Sequence, residues 1–319
     1  MHMSAVVILL LAFSVSALLS FAGAPATALL AKKTDAIDRP SERKRIHTDE
    51  VPRLGGLSIF LGFSAAILIF LRLDRQTAYI LLGAFAIAAA GIADDIFDLN
   101  YIAKLIIQTA AALLVISSGL RIDVIRLWVS SSVSQIEFTA GGFLSVLVTL
   151  IWIVGLTNAF NMIDGLDGLS CGEAMLSSLA LCCLSILCKN TASAISFIAI
   201  SGACLGFLPF NIHPARLFMG DTGSMLLGFL LSSFSVKFLF SDPKVTVFNI
   251  ILILALPVSE LIFTVFRRLL CRRNPMKADN GHIHHLLIAK GVKHEKAVSM
   301  LLTFSFVLSA LSIIFVVIT

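Results

Sequence analysis

Asn158, Asn161, Asp164 and Asp167 recur every three residues in the stretch NAFNMIDGLDG, residues 158–168. On a helix or helical turn that spacing keeps all four on one side, drifting slowly around the axis. An apolar run from Gly141 to Ala159 leads into them, and a second run from Leu169 to Cys188 follows. Two amides and two carboxylates at the mouth of a membrane span are costly to bury, and such residues usually mark a site. The bland alternative is a polar cap with Gly165 and Gly168 making a turn. Such a cap needs one or two polar side chains, not four in register.

Three further clusters carry chemistry of related kinds. Asp94 and Asp95 are adjacent, with Asp98 three residues on. Neighbouring carboxylates repel unless a cation or a shared proton relieves them. Oxygen-only ligands suit Mg²⁺, which typically binds one or two carboxylates together with substrate phosphates; an acidic helix-capping turn is the competing reading. Lys104 follows on the next span and could hold a phosphate or simply snorkel to the interface. In FMGDTGS, residues 218–224, Asp221 lies between glycines at the start of a span. It is either a helix cap or a metal ligand facing a phosphate, because helix N-termini favour anions and glycine permits close approach. His282, His284 and His285 stand behind Asp279 in a basic loop. Zinc needs three or four convergent ligands, which this spacing does not supply. Histidines that grip a diphosphate, protonated or as hydrogen-bond partners, fit better than zinc; an ordinary polar loop stays open.

The elements that must position these groups are membrane spans. The chain has 319 residues, 58% hydrophobic and 13% charged, about half the charged share of a soluble domain. The six cysteines lie mostly in apolar runs and read as small core residues. No aromatic-rich basic patch suggests nucleic acid. The expected fold is all-α and polytopic, one integral-membrane domain over residues 1–319. About ten spans are predicted, near 4–30, 55–71, 77–93, 103–119, 141–159, 169–188, 191–210, 222–240, 247–266 and 297–318. Ser4 to Leu30 is read as an uncleaved first span, since no basic residue precedes it. Pro257 is expected to kink or split the ninth span.

Of the 24 lysines and arginines, 17 fall on one side of this arrangement, mostly in loops 31–54 and 267–296. The positive-inside rule makes that side cytoplasmic and puts both termini outside. All the polar clusters then lie in cytoplasmic connections: HTDEVPRLGG at 47–56, ADDIFDLN at 93–100, NMIDGLDG at 161–168, NIHPARLFMGDTGS at 211–224 and DNGHIHHLL at 279–287. The 120–140 stretch reads as an ordinary amphipathic outer loop.

Together these clusters, from about residue 39 to 290, resemble the polyprenyl-phosphate N-acetylhexosamine-1-phosphate transferases, glycosyltransferase family 4. Each motif alone is weak; the five in order are specific. The resemblance implies an enzyme of the bacterial cytoplasmic membrane. It would move a sugar 1-phosphate from a UDP-N-acetylhexosamine to undecaprenyl phosphate within the bilayer, using Mg²⁺ (or Mn²⁺), and release UMP. Such reactions initiate cell-envelope polysaccharides such as O-antigen or teichoic-acid linkage units, and the family allows for a homodimer. PRLGG at 52–56 matches the first-loop signature, and Asp94 and Asp95 match aspartates beside the lipid phosphate. Asn158, Asn161, Asp164 and Asp167 match NxxNxxDGLDG of the nucleotide-sugar pocket. Asn211 and Phe218 match uridine positions, and Asp221 matches the metal ligand. His282, His284 and His285 match the histidine loop, whose HIHH spelling looks like the UDP-N-acetylglucosamine branch. The expected catalytic set is Asp94, Asp95, Asp164, Asp167, His284 and His285. Substrate binding falls to His47, Arg53, Lys104, Asn158, Asn161, Asn211, Phe218, Arg267, Asp279 and His282.

Two departures concern the region where the sugar is read. A ninth-span pattern that often reads P-x-x-D is Pro257-Val258-Ser259-Glu260 here, and the loop before the histidines is NPMKAD rather than SPFSPD. Another UDP-N-acetyl sugar, such as a 6-deoxy sugar or the muramoyl-pentapeptide, is therefore the alternative donor. In the direct route the lipid phosphate attacks the β-phosphorus; a covalent aspartyl-phosphate route is the alternative. A secondary transporter is the rival class, but transporter sites lie near the membrane midplane between repeats. Here the carboxylates sit at span ends on one face.

Overall fold

The computed structural model describes residues 4–39, 50–127, 136–139, 141–242, 244–270 and 281–318. Every predicted apolar segment is helical. In chain order the helices are α1 (Ala5–Lys33), α2 (Gly56–Phe70), α3 (Arg75–Phe97), α4 (Tyr101–Ser117), α5 (Phe143–Ile163), α6 (Leu169–Leu187), α7 (Thr191–Asn211), α8 (Gly220–Ser241), α9 (Val247–Ile253), α10 (Ala255–Leu270), α11 (Ile283–Ala289) and α12 (His294–Ile318). Among the described residues seven helices are long and apolar enough to cross a membrane, and eight if α9 and α10 count as one bent span. The other two apolar helices, α2 and α4, have only 15 and 17 residues, against the roughly 20 that a full crossing needs. The chain is thus an all-α polytopic membrane protein.

The ninth span breaks as its proline implies. α9 and α10 meet at 88° around Leu254. Pro257 falls in the first turn of α10, where a missing N–H costs nothing. The carbonyl of Ile253, at the end of α9, accepts instead from the Ser177 hydroxyl of α6 at 3.0 Å.

Helix α8 is the axle of the bundle. Its residues from Thr222 to Val236 are buried on every side, because α2, α3, α5, α6 and α7 pack around it. Helix α1 instead buries only the small-residue stripe Ala12, Ser16, Ser20, Ala24, Thr27 and Ala31. That stripe lets backbones approach, as in membrane helix pairs generally. A Cβ on Gly206 of α7 would run into the Ala17 carbonyl, and Ser16 Oγ donates to the Ala199 carbonyl at 2.6 Å.

Two short antiparallel ribbons complete the described chain: β1 (Ile37–Asp38) with β2 (Val51–Pro52), and β3 (Val124–Leu127) with β4 (Ile136–Thr139). The second replaces the plain outer loop expected at 120–140. The β-branched and aromatic residues of VIRL and IEFT suit a paired ribbon.

Candidate active site

The N-terminus of α8 is the centre on which the polar connections converge. It is fixed first by backbone. The PRLGG stretch runs beside residues 218–219: Phe218 N–H donates to Pro52 O at 2.8 Å, Gly55 N–H to Phe218 O and Gly56 N–H to Met219 O, both at 2.9 Å. This approach demands glycine. A Cβ on Gly56 would overlap the Gly223 backbone, and one on Gly91 of α3 would overlap Thr222. Gly220 has φ +68° and lies against the Asp95 carboxylate, a conformation that glycine adopts without strain.

Asp95 caps α8 from outside that helix. Its Oδ1 accepts the Asp221 N–H at 3.0 Å; its Oδ2 accepts the Thr222 N–H at 3.1 Å and the Thr222 hydroxyl at 2.6 Å. Both oxygens are thereby engaged in satisfying the first turn of α8, whose N–H groups have no partner within the helix. Asp94, the neighbour, is arranged otherwise. Its Oδ2 lies 3.1 Å from Lys104 Nζ, while its Oδ1 is buried without a hydrogen-bond partner.

Lys104 neither snorkels nor waits free for a phosphate. Its ammonium joins Asp94 to Asp221, whose Oδ2 is 2.8 Å away. Asn161 Nδ2 donates to Asp221 Oδ1 and to Ser224 Oγ, each at 3.0 Å. One turn back on α5, Asn158 Nδ2 donates to Gln108 Oε1 at 2.7 Å. Asp94, Lys104, Asn161 and Asp221 therefore form one connected cluster, contributed by α3, α4, α5 and α8. Asp164 caps α5 next to it. Enclosure by protein, then the negative charges of Asp221, Asp95 and Asp167, push its carboxyl well above the usual range, although an edge still reaches solvent.

Other expected site residues hold the frame. Buried Asn211 accepts the Gly168 N–H at 3.2 Å and donates to Leu217 O at 3.2 Å, so both ends of its amide staple two loops together. Phe218 keeps a half-buried ring while its backbone pairs with residues 52 and 55. Arg53 reaches the last turn of α3, donating to Asp95 O at 3.2 Å and lying 3.8 Å from Asp38 and 3.7 Å from Asp98. Arg267, at the end of α10, packs against Gly281 and lies 5.8 Å from the Phe263 ring centre. His47 and Asp279 lie outside the described residues.

Asp167 is separated from the Asp94–Asp221 cluster in its contacts. Its Oδ2 faces His213 Nδ1 at 2.8 Å and accepts the Ala215 N–H at 3.1 Å. The three-residue spacing therefore does not keep all four polar groups in one network. α5 ends at Ile163, and the chain from Asp164 to Gly168 turns rather than continuing the helix.

The histidine loop is held by Glu260, a residue noted in the sequence only as a departure. Glu260 Oε1 lies 2.8 Å from His282 Nδ1 and accepts the Thr264 hydroxyl at 3.0 Å; Oε2 accepts the Ile283 N–H at 2.9 Å. A carboxylate on α10 thus caps α11. The longer Glu spans that distance, and its sequence signal was the retained charge. His284, 1% exposed, packs on Gly165 of the DGLDG loop, joining the two connections. Burial first, then the neighbouring His285, lowers its pKa to about 3. His284 is therefore neutral at physiological pH.

This sets a pH prediction. An unfolded histidine titrates near 6.5, whereas folded His284 resists protonation until about pH 3. Between those values the unfolded chain binds the extra proton, so stability is lost as pH falls below about 6.5. Thermal melts in detergent from pH 7 to 4.5 are expected to fall less steeply for His284→Gln than for the wild type. Equal slopes would mean that His284 is not held neutral.

Fold and site define an integral membrane protein with a carboxylate, amide and ammonium centre at one end of its helix bundle. Residues 77–239 match the model of glycosyl transferase family 4. The probable undecaprenyl-phosphate N-acetylglucosaminyl 1-phosphate transferase of Bacillus subtilis (strain 168) is 37% identical over 312 residues, covering 96% of this chain and 84% of that protein. The undecaprenyl-phosphate alpha-N-acetylglucosaminyl 1-phosphate transferase of Thermotoga maritima is 33% identical over 297 residues, covering 93% and 88%. The decaprenyl-phosphate N-acetylglucosaminephosphotransferase of Mycolicibacterium smegmatis is 31% identical over 306 residues, covering 86% and 73%. The chain belongs to glycosyl transferase family 4.

Proposed function

We propose that this chain transfers N-acetylglucosamine 1-phosphate from its UDP-linked donor to undecaprenyl phosphate, initiating a cell-envelope polysaccharide. The observation that carries this reading is the Asp94–Lys104–Asp221–Asn161 cluster beside the DGLDG loop, in a chain whose relatives bear the names of that reaction. We place the protein in the bacterial cytoplasmic membrane as one domain. The ten apolar segments cross it, α2 and α4 as short spans, with both termini outside, and the site faces the cytoplasm, where the nucleotide sugar is available.

In the reaction an oxygen of the lipid phosphate attacks the β-phosphorus of the donor. The new P–O bond forms as the bond to the bridging oxygen breaks, and UMP carries away that oxygen and the electron pair. Positioning and charge neutralisation do most of the work in such transfers. The residues fit a divalent cation: Asp94 Oδ1 is buried and unpartnered, and Asp221 Oδ2 already attracts an ammonium. Asp94 and Asp221 would hold Mg²⁺, which when bound would offset the negative charge of the donor diphosphate. Lys104 adds a fixed positive charge between the two carboxylates. Asn161 holds Asp221 in register. Asp95, engaged by α8, positions rather than reacts, which leaves Asp94 as the carboxylate that orients the acceptor phosphate. Neutral His284 offers its ring nitrogens as hydrogen-bond partners from the histidine loop.

Purified protein with undecaprenyl phosphate, Mg²⁺ and a panel of UDP-sugars is expected to release UMP fastest from UDP-N-acetylglucosamine. Preference for another donor would overturn the sugar assignment, and no UMP from any donor would overturn the reaction. Delipidated enzyme is expected to show no exchange of labelled UMP into the donor, since the nucleophile is the lipid phosphate. Rapid exchange would instead make an aspartate the nucleophile.

A further inference from the structure

Asp167, His213 and His294 come from three separate parts of the chain, and each offers a ligand atom within 4.8 Å of the other two. Both imidazoles turn a nitrogen edge toward Asp167. His213 Nδ1 lies 2.8 Å from its Oδ2, and His294 Nε2 lies 3.5 Å from its carbonyl oxygen. The rings stack with centres 4.2 Å apart. The trio sits at the head of a cavity of about 580 Å³ between α6, α7 and α12, walled by apolar side chains such as Met175, Leu208, Leu302 and Phe306. Glu295 also lines it, whereas Asp94, Asp221 and Lys104 do not.

We infer that Asp167, His213 and His294 form a second metal site, selective for a borderline-soft divalent ion of the zinc class. Two imidazoles and one carboxylate make a nitrogen-rich set that suits Zn²⁺, Co²⁺ or Ni²⁺ and not Mg²⁺. Three protein ligands with a fourth position open are a common zinc arrangement. Metal–ligand bonds of about 2.0–2.2 Å bring such ligands within roughly 3.5 Å of one another. Rotation of the half-buried imidazoles supplies the difference. The Ala215 N–H already fixes the Asp167 carboxylate, as second partners of metal ligands do, and the apolar cavity shields one side of the site. An ion bound there takes the place of the direct contact between His213 Nδ1 and Asp167 Oδ2. Its structural consequence is a clamp. It ties the DGLDG connection and the 212–219 connection, which lead from Asp164 and into Asp221, to the start of α12.

The test uses full-length protein with no polyhistidine tag, in detergent and excess Mg²⁺, without donor or lipid acceptor; a failed transfer assay therefore leaves it untouched. Titration with Co²⁺ is expected to give one equivalent of visible d–d absorption, displaced by Zn²⁺, and Zn²⁺ is expected to raise the melting temperature. His213→Ala and His294→Ala should each abolish the absorption, whereas His285→Ala should keep it. X-ray absorption on zinc-loaded wild-type protein should report two imidazoles, a reading that does not depend on any variant folding. Absence of the Co²⁺ signal, its persistence in both His213→Ala and His294→Ala, its loss with His285→Ala, or a zinc shell without two imidazoles would overturn the assignment.

Discussion

Asp221→Asn is expected to lower UMP release by at least about 10²-fold, the scale of losing a group that stabilises charge in the transition state, while the protein stays folded in detergent. The substitution removes one negative charge at the point where Lys104 and Asn161 converge. It keeps the side-chain shape and an oxygen that Asn161 can still bond, so the first turn of α8 is preserved. The loss should appear in the rate at saturating substrate, and raising Mg²⁺ should recover part of it by restoring occupancy. Activity near wild type at ordinary Mg²⁺ would remove Asp221 from the cation-holding role.

The second large effect separates two neighbours. Asp94→Asn should cost about 10²-fold or more in rate, the scale of losing a group that stabilises charge in the transition state, with a smaller change in melting temperature than Asp95→Ala. It weakens the contact of Oδ2 with Lys104, but Lys104 keeps Asp221, and Oδ1 has no hydrogen-bond partner to lose. Asp95→Ala should lower the melting temperature as well as the rate. It deprives the Asp221 and Thr222 N–H groups and the Thr222 hydroxyl of their acceptor, and each buried donor left unpaired costs about 1–3 kcal/mol. Thr222→Val should reproduce a smaller part of the stability loss without removing the carboxylate. The assay pairs thermal melting with UMP release for all three variants. If Asp94→Asn melts early while Asp95→Ala keeps its stability, the roles drawn here for the pair are reversed.

Adjacent aspartates thus part company in a way their spelling does not announce. On a helix, successive residues point about 100° apart, so Asp94 and Asp95 of α3 face different neighbours. Asp94 meets Lys104 of α4, and Asp95 meets the start of α8. The glycine pairs show the same limit. PRLGG and FMGDTGS were both visible as loop signatures, but only the assembled chain shows Gly55 and Gly56 donating to Phe218 and Met219. Glu260 was legible as a retained charge; its hold on His282 and Ile283 was not.

Apolar length and local motif spelling were enough to locate the helices and the loops that carry the chemistry. Apolar length is a local property, and in a membrane a long apolar segment must satisfy its backbone internally, which makes it a helix. That is why all ten segments from α1 to α12 were readable, and why Pro257 announced the bend between α9 and α10. Tertiary structure alone decided how each helix is rotated about its axis and which loop ends meet. Those choices set Asp95 beneath α8 and turned Asp167 toward His213 and His294, residues 46 and 127 positions further along the chain. The first follows from α3 packing on the buried α8, where a Cβ on Gly91 would overlap Thr222, and the second from α12 packing on α6. No periodicity in the chain encodes that geometry.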